Sequence, residues 1–271
     1  HENLHTYSGL PAPVKNTNTF LHETFSKGDT ALGFAQAELV FEHNFTTQAV
    51  HQGYLEPHAA VADIGPDGGV TVWSSDKVPF RVRSLMAEII GLPITRVRVI
   101  PSLVGGDFGG KGMIFDEPLC YYLARKSGRP VKMVMSRQEE FLAGSPRHPS
   151  IIRLKAGVTK SGELVAWEGD AIFDSGAYAA YKPQVGLGGT KKLAGTYRIP
   201  HVRIDGFYVY THTVPCGHCR APGDPQASFA VESFMDMIAS NLQMDPFRFR
   251  WINALEDGAL SPVGEPWKGI N

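Results

Sequence analysis

The feature that most constrains this chain is a run of eight residues, 105–112, that holds five glycines and one large aromatic residue, Phe108. Glycine lets a backbone approach a ligand closely and adopt positive φ values. Such a loop presents N–H groups, rather than side chains, as its binding surface. An apolar β-branched run precedes it at residues 96–100, and a helical pattern follows at 116–126. The loop is therefore predicted to join a strand to a helix, where open α/β layers place ligands.

Two common phosphate-binding motifs fit this loop poorly. A Walker loop requires GxxxxGK followed by Ser or Thr, but Gly112 stands where the hydroxyl should be. A dinucleotide fingerprint requires GxGxxG at the start of a helix, and neither Gly105 nor Gly106 begins that pattern. The residues alone leave two further hypotheses open. One is a nucleotide-phosphate site that uses Lys111, and the other is a glycine-rich surface turn without a ligand.

Composition and charge narrow the class of protein. The 271 residues carry a formal net charge of −1, which gives no electrostatic footprint for nucleic acid or an anionic membrane. We find no apolar stretch of about 18 residues, as a membrane-spanning helix needs, and no signal peptide. Three cysteines are too few for a disulfide framework. We therefore expect a reducing, cytoplasmic location, with export to the periplasm alongside partner subunits as the alternative.

The order of elements predicts an α+β fold, with a mixed sheet, a βαβ-like unit, antiparallel hairpins and packed helices. Strands are predicted at residues 35–45, 59–64, 70–75, 96–100, 131–135, 151–158, 164–173 and 202–211. Helices are predicted at residues 80–90, 116–126, 227–242 and 246–255. We expect residues 1–33 to be a leading segment or linker and residues 34–271 to form one domain. If that domain has two subdomains, we expect the division near residues 145–150.

Three cysteines and nearby histidines raise the question of a metal or redox site. Cys216 and Cys219 have CxxC spacing, with His218 between them, which allows zinc binding, a redox pair or ordinary loop cysteines. No second cysteine pair has the spacing of a zinc site, which favours the third interpretation. Cys120 lies on the apolar face of a helical run and is predicted to be core.

Eight motifs, in order along nearly the whole chain, resemble those of the molybdenum hydroxylases, the xanthine dehydrogenase and aldehyde oxidase family. The glycine loop is similar to the family's GGxFGGK loop. The other seven motifs are HQGYLEP at 51–57, GLP at 91–93 before VRVI at 97–100, GRPVK at 128–132, RHP at 147–149, DSGAY at 174–178, YRIP at 197–200 and RAPGDPQ at 220–226.

This resemblance implies a set of site residues. The cofactor-binding residues that it implies are Gly106, Phe108, Gly109, Gly110 and Arg220. An arginine beside an anionic pterin cofactor is chemically reasonable, because a guanidinium pairs well with phosphate. The alternative is a surface arginine that pairs with a carboxylate such as Asp224.

The resemblance further implies a substrate pocket formed by Phe108, Gly112 and Pro222. The alternative for Phe108 is a hydrophobic plug that anchors the loop. We assign no metal ligand and no catalytic residue to this chain, because the family's general-base glutamate matches no segment of it. His51, Glu56 and His58 do not have the spacing of a metal cluster, and the family keeps Glu56 as scaffold.

The implied function is the first molybdopterin-binding domain of a molybdenum hydroxylase, which oxidises an aldehyde or N-heteroaromatic substrate with water as the oxygen source. The implied cofactor is molybdenum-molybdopterin, in its plain or cytosine dinucleotide form. The implied partners are a second cofactor-binding domain and 2Fe-2S and FAD domains or subunits, without which the chain is expected to be incomplete and inactive. The competing hypothesis is a non-catalytic scaffold module with a vestigial glycine loop.

Departures from the family pattern bear on the substrate. Xanthine-oxidising relatives carry a glutamate where Gly112 stands, and copper-dependent carbon monoxide dehydrogenases carry a cysteine where Ala221 follows Arg220. Both substrates are therefore disfavoured. The family's glutamine near the metal would fall at Asp76 or Lys77, and Pro222 and Asp224 also depart from the family pattern.

Overall fold

The computed structural model of this chain describes residues 17–178 and 187–269. The chain divides into two compact units. Of the described residues, 17–49, 148–178, 187–213 and 221–269 form the first unit, and 50–147 and 214–220 form the second. Each unit contains one sheet with helices packed on it, which confirms the predicted α+β class.

The first unit is built on a five-stranded sheet in the order β1-β9-β8-β7-β2. Its strands are β1 (Thr19–Lys27), β2 (Leu39–Thr47), β7 (Ser150–Val158), β8 (Leu164–Asp174) and β9 (His201–Val209). The pairs are antiparallel except β8 with β9, which is parallel. Helices α1 (Thr30–Gln36), α5 (Asp224–Asn241) and α6 (Pro246–Asn253) belong to this unit.

Helix α5 covers the core of the first unit because its apolar residues recur at helical spacing. Ala230, Phe234 and Ile238 lie four residues apart on one face and are fully buried. On β7, Ile152 and Leu154 alternate with more exposed residues and face the same core. The predicted long hairpin of β7 and β8 and both C-terminal helices are thus confirmed.

The second unit is built on a four-stranded sheet in the order β5-β4-β3-β6. Its strands are β3 (Ala59–Ile64), β4 (Val70–Ser74), β5 (Val97–Pro101) and β6 (Val131–Val134). Its helices are α2 (Pro79–Ile90), α3 (Glu117–Ser127) and α4 (Arg137–Ala143). Strands β4 and β5 pair in parallel with α2 between them, as the predicted βαβ-like unit requires.

Two N-terminal elements differ from the sequence predictions. Residues 19–27 of the predicted linker form β1, an edge strand that pairs with β9. Its local pattern is weak because its apolar residues, Phe20, Leu21 and Phe25, do not alternate with polar ones. The strand predicted at residues 35–45 begins only at Leu39, because the residues before it form helix α1. Asp29 caps this helix by accepting the N–H of Leu32.

Helix α4 was also missed, because a seven-residue helix gives little periodicity. Its sequence signal is a capping box, in which the Ser136 hydroxyl accepts the N–H of Glu139 and the Glu139 carboxylate accepts the N–H of Ser136. Among the residues that the structure describes, no helix combines the length and hydrophobicity needed to cross a bilayer.

Candidate functional site

The glycine loop, residues 105–112, lies between β5 and α3 in the second unit, as predicted. Its aromatic residue, Phe108, is 50% exposed and has a left-handed φ of 47°. A bulky residue adopts that conformation only where its surroundings enforce it, and such residues concentrate at functional sites. Half of the Phe108 surface is open to solvent.

The glycines of the loop are required by contacts within the protein itself. A Cβ on Gly110 would lie 2.5 Å from the Tyr54 ring, and one on Gly106 would lie 2.9 Å from Tyr54 Cβ. A Cβ on Gly109 would lie 2.6 Å from the carbonyl oxygen of His218. Close backbone packing is therefore sufficient to explain these three glycines, before any ligand is considered.

Asp107 organises the loop from inside, a role that the sequence interpretation missed. Its carboxylate accepts the N–H groups of Gly109 at 2.8 Å and Lys111 at 2.7 Å, and its carbonyl accepts that of Gly110 at 2.9 Å. Lys77 pairs with the same carboxylate at 2.5 Å. Burial opposes ionisation, but Lys77 and the two amides bring the pKa of Asp107 below its ordinary value. An aspartate two residues before a glycine is a known turn signal, and it could have revealed this arrangement.

Lys111 is fully buried and pairs with Glu56, whose Oε2 lies 2.6 Å from the ammonium. The same carboxylate accepts the N–H of Gly105 at 2.8 Å, so Glu56 holds both ends of the loop. A buried, paired lysine is not available to a phosphate group. This contact excludes the nucleotide-phosphate hypothesis and agrees with Glu56 as scaffold.

A buried carboxylate, Glu140 on α4, supports the segment beside the loop. It accepts hydrogen bonds from the Tyr54 hydroxyl and, at 2.7 Å, from the backbone N–H of His58. His58 Nδ1 lies 2.8 Å from the same carboxylate. Although burial acts in the opposite direction, hydrogen bonds from His58 and Tyr54 lower the pKa of Glu140 to about 2. His51 Nε2 lies 3.5 Å away. Within the described ranges, no three His, Cys, Asp or Glu side chains are arranged to hold a metal.

Residues 214–220 belong to the second unit and lie against the glycine loop. Gln52 fixes this segment by donating from Nε2 to the carbonyls of Ser145 and His218, both at 2.7 Å. The N–H of Arg220 donates to the carbonyl of Phe108 at 2.8 Å. Gln52, like Asp107, received no role in the sequence interpretation.

The three cysteines are all buried. Cys216 and Cys219 form no disulfide within the described residues. Cys120 is in the core as predicted, where it contacts the carbonyl of Ala60 at 3.6 Å. Burial raises the pKa of its thiol to about 11.

A small set of donors at the site has no protein acceptor among the residues that the structure describes. Arg220 is exposed, and its guanidinium forms no ion pair with a carboxylate among the described residues of the second unit. The N–H groups of Gly106 and Phe108 likewise find no acceptor within residues 17–178 and 187–269. Because Arg220 and Phe108 are joined backbone to backbone, these donors suit one anionic ligand.

The other predicted site residues occupy different environments. Gly112 is buried at the end of the loop. Pro222 belongs to the first unit, where its carbonyl accepts the N–H of Gly188 at 3.1 Å. Gly109 and Gly110 lie in the loop as predicted, but their N–H groups already donate to Asp107.

Comparison with known proteins identifies the family to which this chain is similar. Residues 12–254 match the family model described as "Molybdopterin cofactor-binding domain". The chain is 36% identical over 255 residues to the nicotinate dehydrogenase large molybdopterin subunit of Eubacterium barkeri, covering 94% of this chain and 60% of that protein. It is 32% identical over 254 residues to the xanthine dehydrogenase molybdenum-binding subunit of Escherichia coli, covering 93% of this chain and 34% of that protein.

Among solved structures, the aldehyde oxidoreductase from Desulfovibrio gigas is similar with a TM-score of 0.84 and 30% identity. The match covers 95% of this chain and 29% of that one. The chain thus spans 60% or less of the length of each of these relatives.

Proposed function

Because the chain belongs to the molybdopterin cofactor-binding domain family, we propose that it forms part of the active site of a molybdenum hydroxylase. The proposed reaction is oxidation of an aldehyde or N-heteroaromatic substrate with water as the oxygen source. The named relatives act as nicotinate, xanthine or aldehyde oxidoreductases, and they motivate this substrate range.

One observation carries the proposal. Within the described part of the second unit, the exposed guanidinium of Arg220 has no ion pair, and it belongs to a segment that contacts the loop whose Gly106 and Phe108 N–H groups have no acceptor. Arg220 would bind the anionic cofactor, and the N–H groups of Gly106 and Phe108 would add uncharged hydrogen bonds to it. Gly109 and Gly110 would serve the cofactor by holding the loop in shape, since their own N–H groups donate to Asp107. When bound, the molybdenum cofactor supplies the two-electron oxidation, which protein side chains cannot perform.

The remaining residues of the proposed site would shape the substrate pocket. The exposed ring of Phe108 offers an apolar surface, and Gly112 and Pro222 offer no charge. We propose that residues 34–271 act together as this half of the cofactor site. The finer assignments are a cytosine dinucleotide form of the cofactor, a second cofactor-binding domain that carries the general-base glutamate, and 2Fe-2S and FAD groups on other domains or subunits.

The scaffold hypothesis with a vestigial loop is not favoured. A bound ligand would account both for the left-handed conformation of Phe108 and for the exposed guanidinium of Arg220, which has no ion pair within the described part of its unit. The family match over residues 12–254 points the same way.

The test is Arg220→Met in the full-length protein, with Arg129→Met as the matched control at an exposed arginine of the same unit. Losing charge-assisted hydrogen bonds of about 1.5–3 kcal/mol should weaken cofactor retention by roughly 10- to 100-fold. Molybdenum per protein should fall in Arg220→Met and stay unchanged in Arg129→Met, while both variants unfold at the wild-type urea concentration. Full molybdenum content in Arg220→Met would overturn the proposed role.

A further inference from the structure

Two carboxyl groups meet in the interior of the second unit without a cation between them. Asp76 follows β4 and Glu117 begins α3, and each is 2% exposed. Ser74, equally buried, lies between them. No lysine, arginine or histidine of the described residues forms an ion pair with either carboxyl group. Two adjacent buried anions would be strongly unfavourable.

The hydrogen bonds of Ser74 indicate that one of the two carboxyl groups is protonated. Its Oγ lies 2.6 Å from Glu117 Oε1 and 3.0 Å from Asp76 Oδ2, and it also accepts the N–H of Asp76 at 3.1 Å. A serine hydroxyl carries one proton and can donate to only one of the two oxygens. The other contact is a hydrogen bond only if that carboxyl group is itself protonated and donates to Ser74.

The surrounding groups decide which carboxyl group carries the proton. Glu117 accepts twice, because its Oε2 also receives the N–H of Phe115 at 2.7 Å. Asp76 Oδ1 is buried and has no partner in the described structure. An unsolvated oxygen costs far more when it carries charge. The anion therefore belongs to Glu117 and the proton to Asp76.

Asp76 is also connected to the glycine loop through its neighbour. The N–H of Lys77 donates to the carbonyl of Lys111 at 3.1 Å, and the Lys77 ammonium pairs with Asp107. The buried ammonium of Lys111 is the nearby charge that favours ionisation of Asp76, whereas Glu117 opposes it. Any new charge on Asp76 would thus compete with Glu56 for Lys111.

We propose that Asp76 is a neutral carboxylic acid that donates its proton to Ser74 beside an ionised Glu117, and that losing this proton in alkaline solution loosens the glycine loop. Asp76 is thus a positioning residue that acts through Lys77 and Lys111. Burial, followed by the neighbouring Glu117, raises the pKa of Asp76 to about 9, which agrees with the proton count.

The proton itself can be tested on the chain without any cofactor. The infrared difference spectrum between wild type and Asp76→Asn at pH 7 should contain the carbonyl band of a protonated carboxylic acid. Glu88→Gln, at an exposed glutamate of α2, is the control and should lack that band. If the Asp76 spectrum shows only carboxylate bands at pH 7, the proposal is wrong.

Effects on stability and on the loop provide a second test. Asparagine has the shape of the neutral Asp76 side chain and carries no charge. Asp76→Asn should therefore fold, and it has no carboxyl group at this position that could lose a proton. Between pH 6 and pH 8 the unfolding equilibrium constant of wild type should rise by up to about tenfold per pH unit relative to Asp76→Asn. Hydrogen exchange at Gly109–Lys111 should accelerate with pH in wild type relative to Asp76→Asn. A pH-independent difference in both measurements would overturn the role of Asp76 in the loop.

Discussion

The buried ammonium of Lys111 lies 2.6 Å from Glu56 Oε2, and this ion pair ties the end of the glycine loop to the segment before β3. The two partners are unequal, since Lys111 is fully buried whereas the Glu56 side chain is 34% exposed. If Glu56 is removed, the charge on Lys111 remains buried, whereas if Lys111 is removed, the charge on Glu56 can still be hydrated. The pair therefore predicts an asymmetric response to mutation.

Glu56→Gln should destabilise the chain more than Lys111→Met does. The glutamine leaves a buried ammonium without its counter-ion, at a cost of roughly 3–5 kcal/mol, whereas methionine leaves a carboxylate that water can reach. Urea unfolding of both variants and of the double variant measures the difference. Equal losses in the two single variants would contradict the asymmetry.

Gly109→Ala should destabilise the protein even when no cofactor is bound. The residue has a φ of 109°, and an added Cβ would lie 2.6 Å from the carbonyl oxygen of His218, so we expect a loss above about 2 kcal/mol. Gly128→Ala is the matched control, because Gly128 has a φ of 67° and open space around it. It should cost about 1 kcal/mol, from the backbone conformation alone.

The two glycine variants also separate an effect on folding of the loop from an effect on cofactor binding. If Gly109→Ala were as mild as Gly128→Ala in urea unfolding, packing against His218 would not be the reason for the glycine. Loss of molybdenum in a Gly109 variant is informative only after this measurement, since a distorted loop and a lost ligand contact have the same outcome.

The Glu140 carboxylate should make the protein sensitive to acid. Its pKa falls from an ordinary 4.5 to about 2 on folding, so its stabilisation is present above pH 4.5 and is lost as the pH falls towards 2. At about 1.4 kcal/mol per pKa unit, the loss is on the order of 3 kcal/mol.

Glu140→Gln checks this assignment. The variant should be less stable than wild type at pH 7, because Tyr54 and His58 lose a charged acceptor. Its stability should vary less between pH 5 and pH 2.5, as measured by urea midpoints at each pH. Parallel pH profiles for the two proteins would show that another group carries the acid sensitivity.

The full-length protein should discriminate against xanthine. Gly112 provides no carboxylate to bind a purine, and losing one charge-assisted hydrogen bond costs about 1.5–3 kcal/mol. We expect kcat/KM for aldehydes or other N-heteroaromatics to exceed that for xanthine by well over tenfold. Steady-state assays with the three substrate classes measure this ratio, and efficient xanthine turnover would refute the prediction.

The sequence by itself determined the elements whose signals are local. The βαβ-like unit follows from an amphipathic helix between two β-branched runs, and α2 and α3 end at Gly91 and Gly128, which adopt left-handed conformations as helix ends require. The glycine loop is recognisable between β5 and α3 because five of its eight residues are glycine. Cys120 was assigned to the core from its place on the apolar face of a helix.

Only the tertiary structure decided which groups the site leaves free. Gly109 and Gly110 looked like ligand donors, but Asp107 and the packing of His218 and Tyr54 already account for them. Strand β1 and the contacts of Gln52, Glu140 and Glu117 join residues far apart in sequence. Their energies depend on burial and on the partner's position, neither of which a local pattern contains. The neutral state of Asp76 is of this kind, since it exists only because folding places Glu117 and Ser74 beside it.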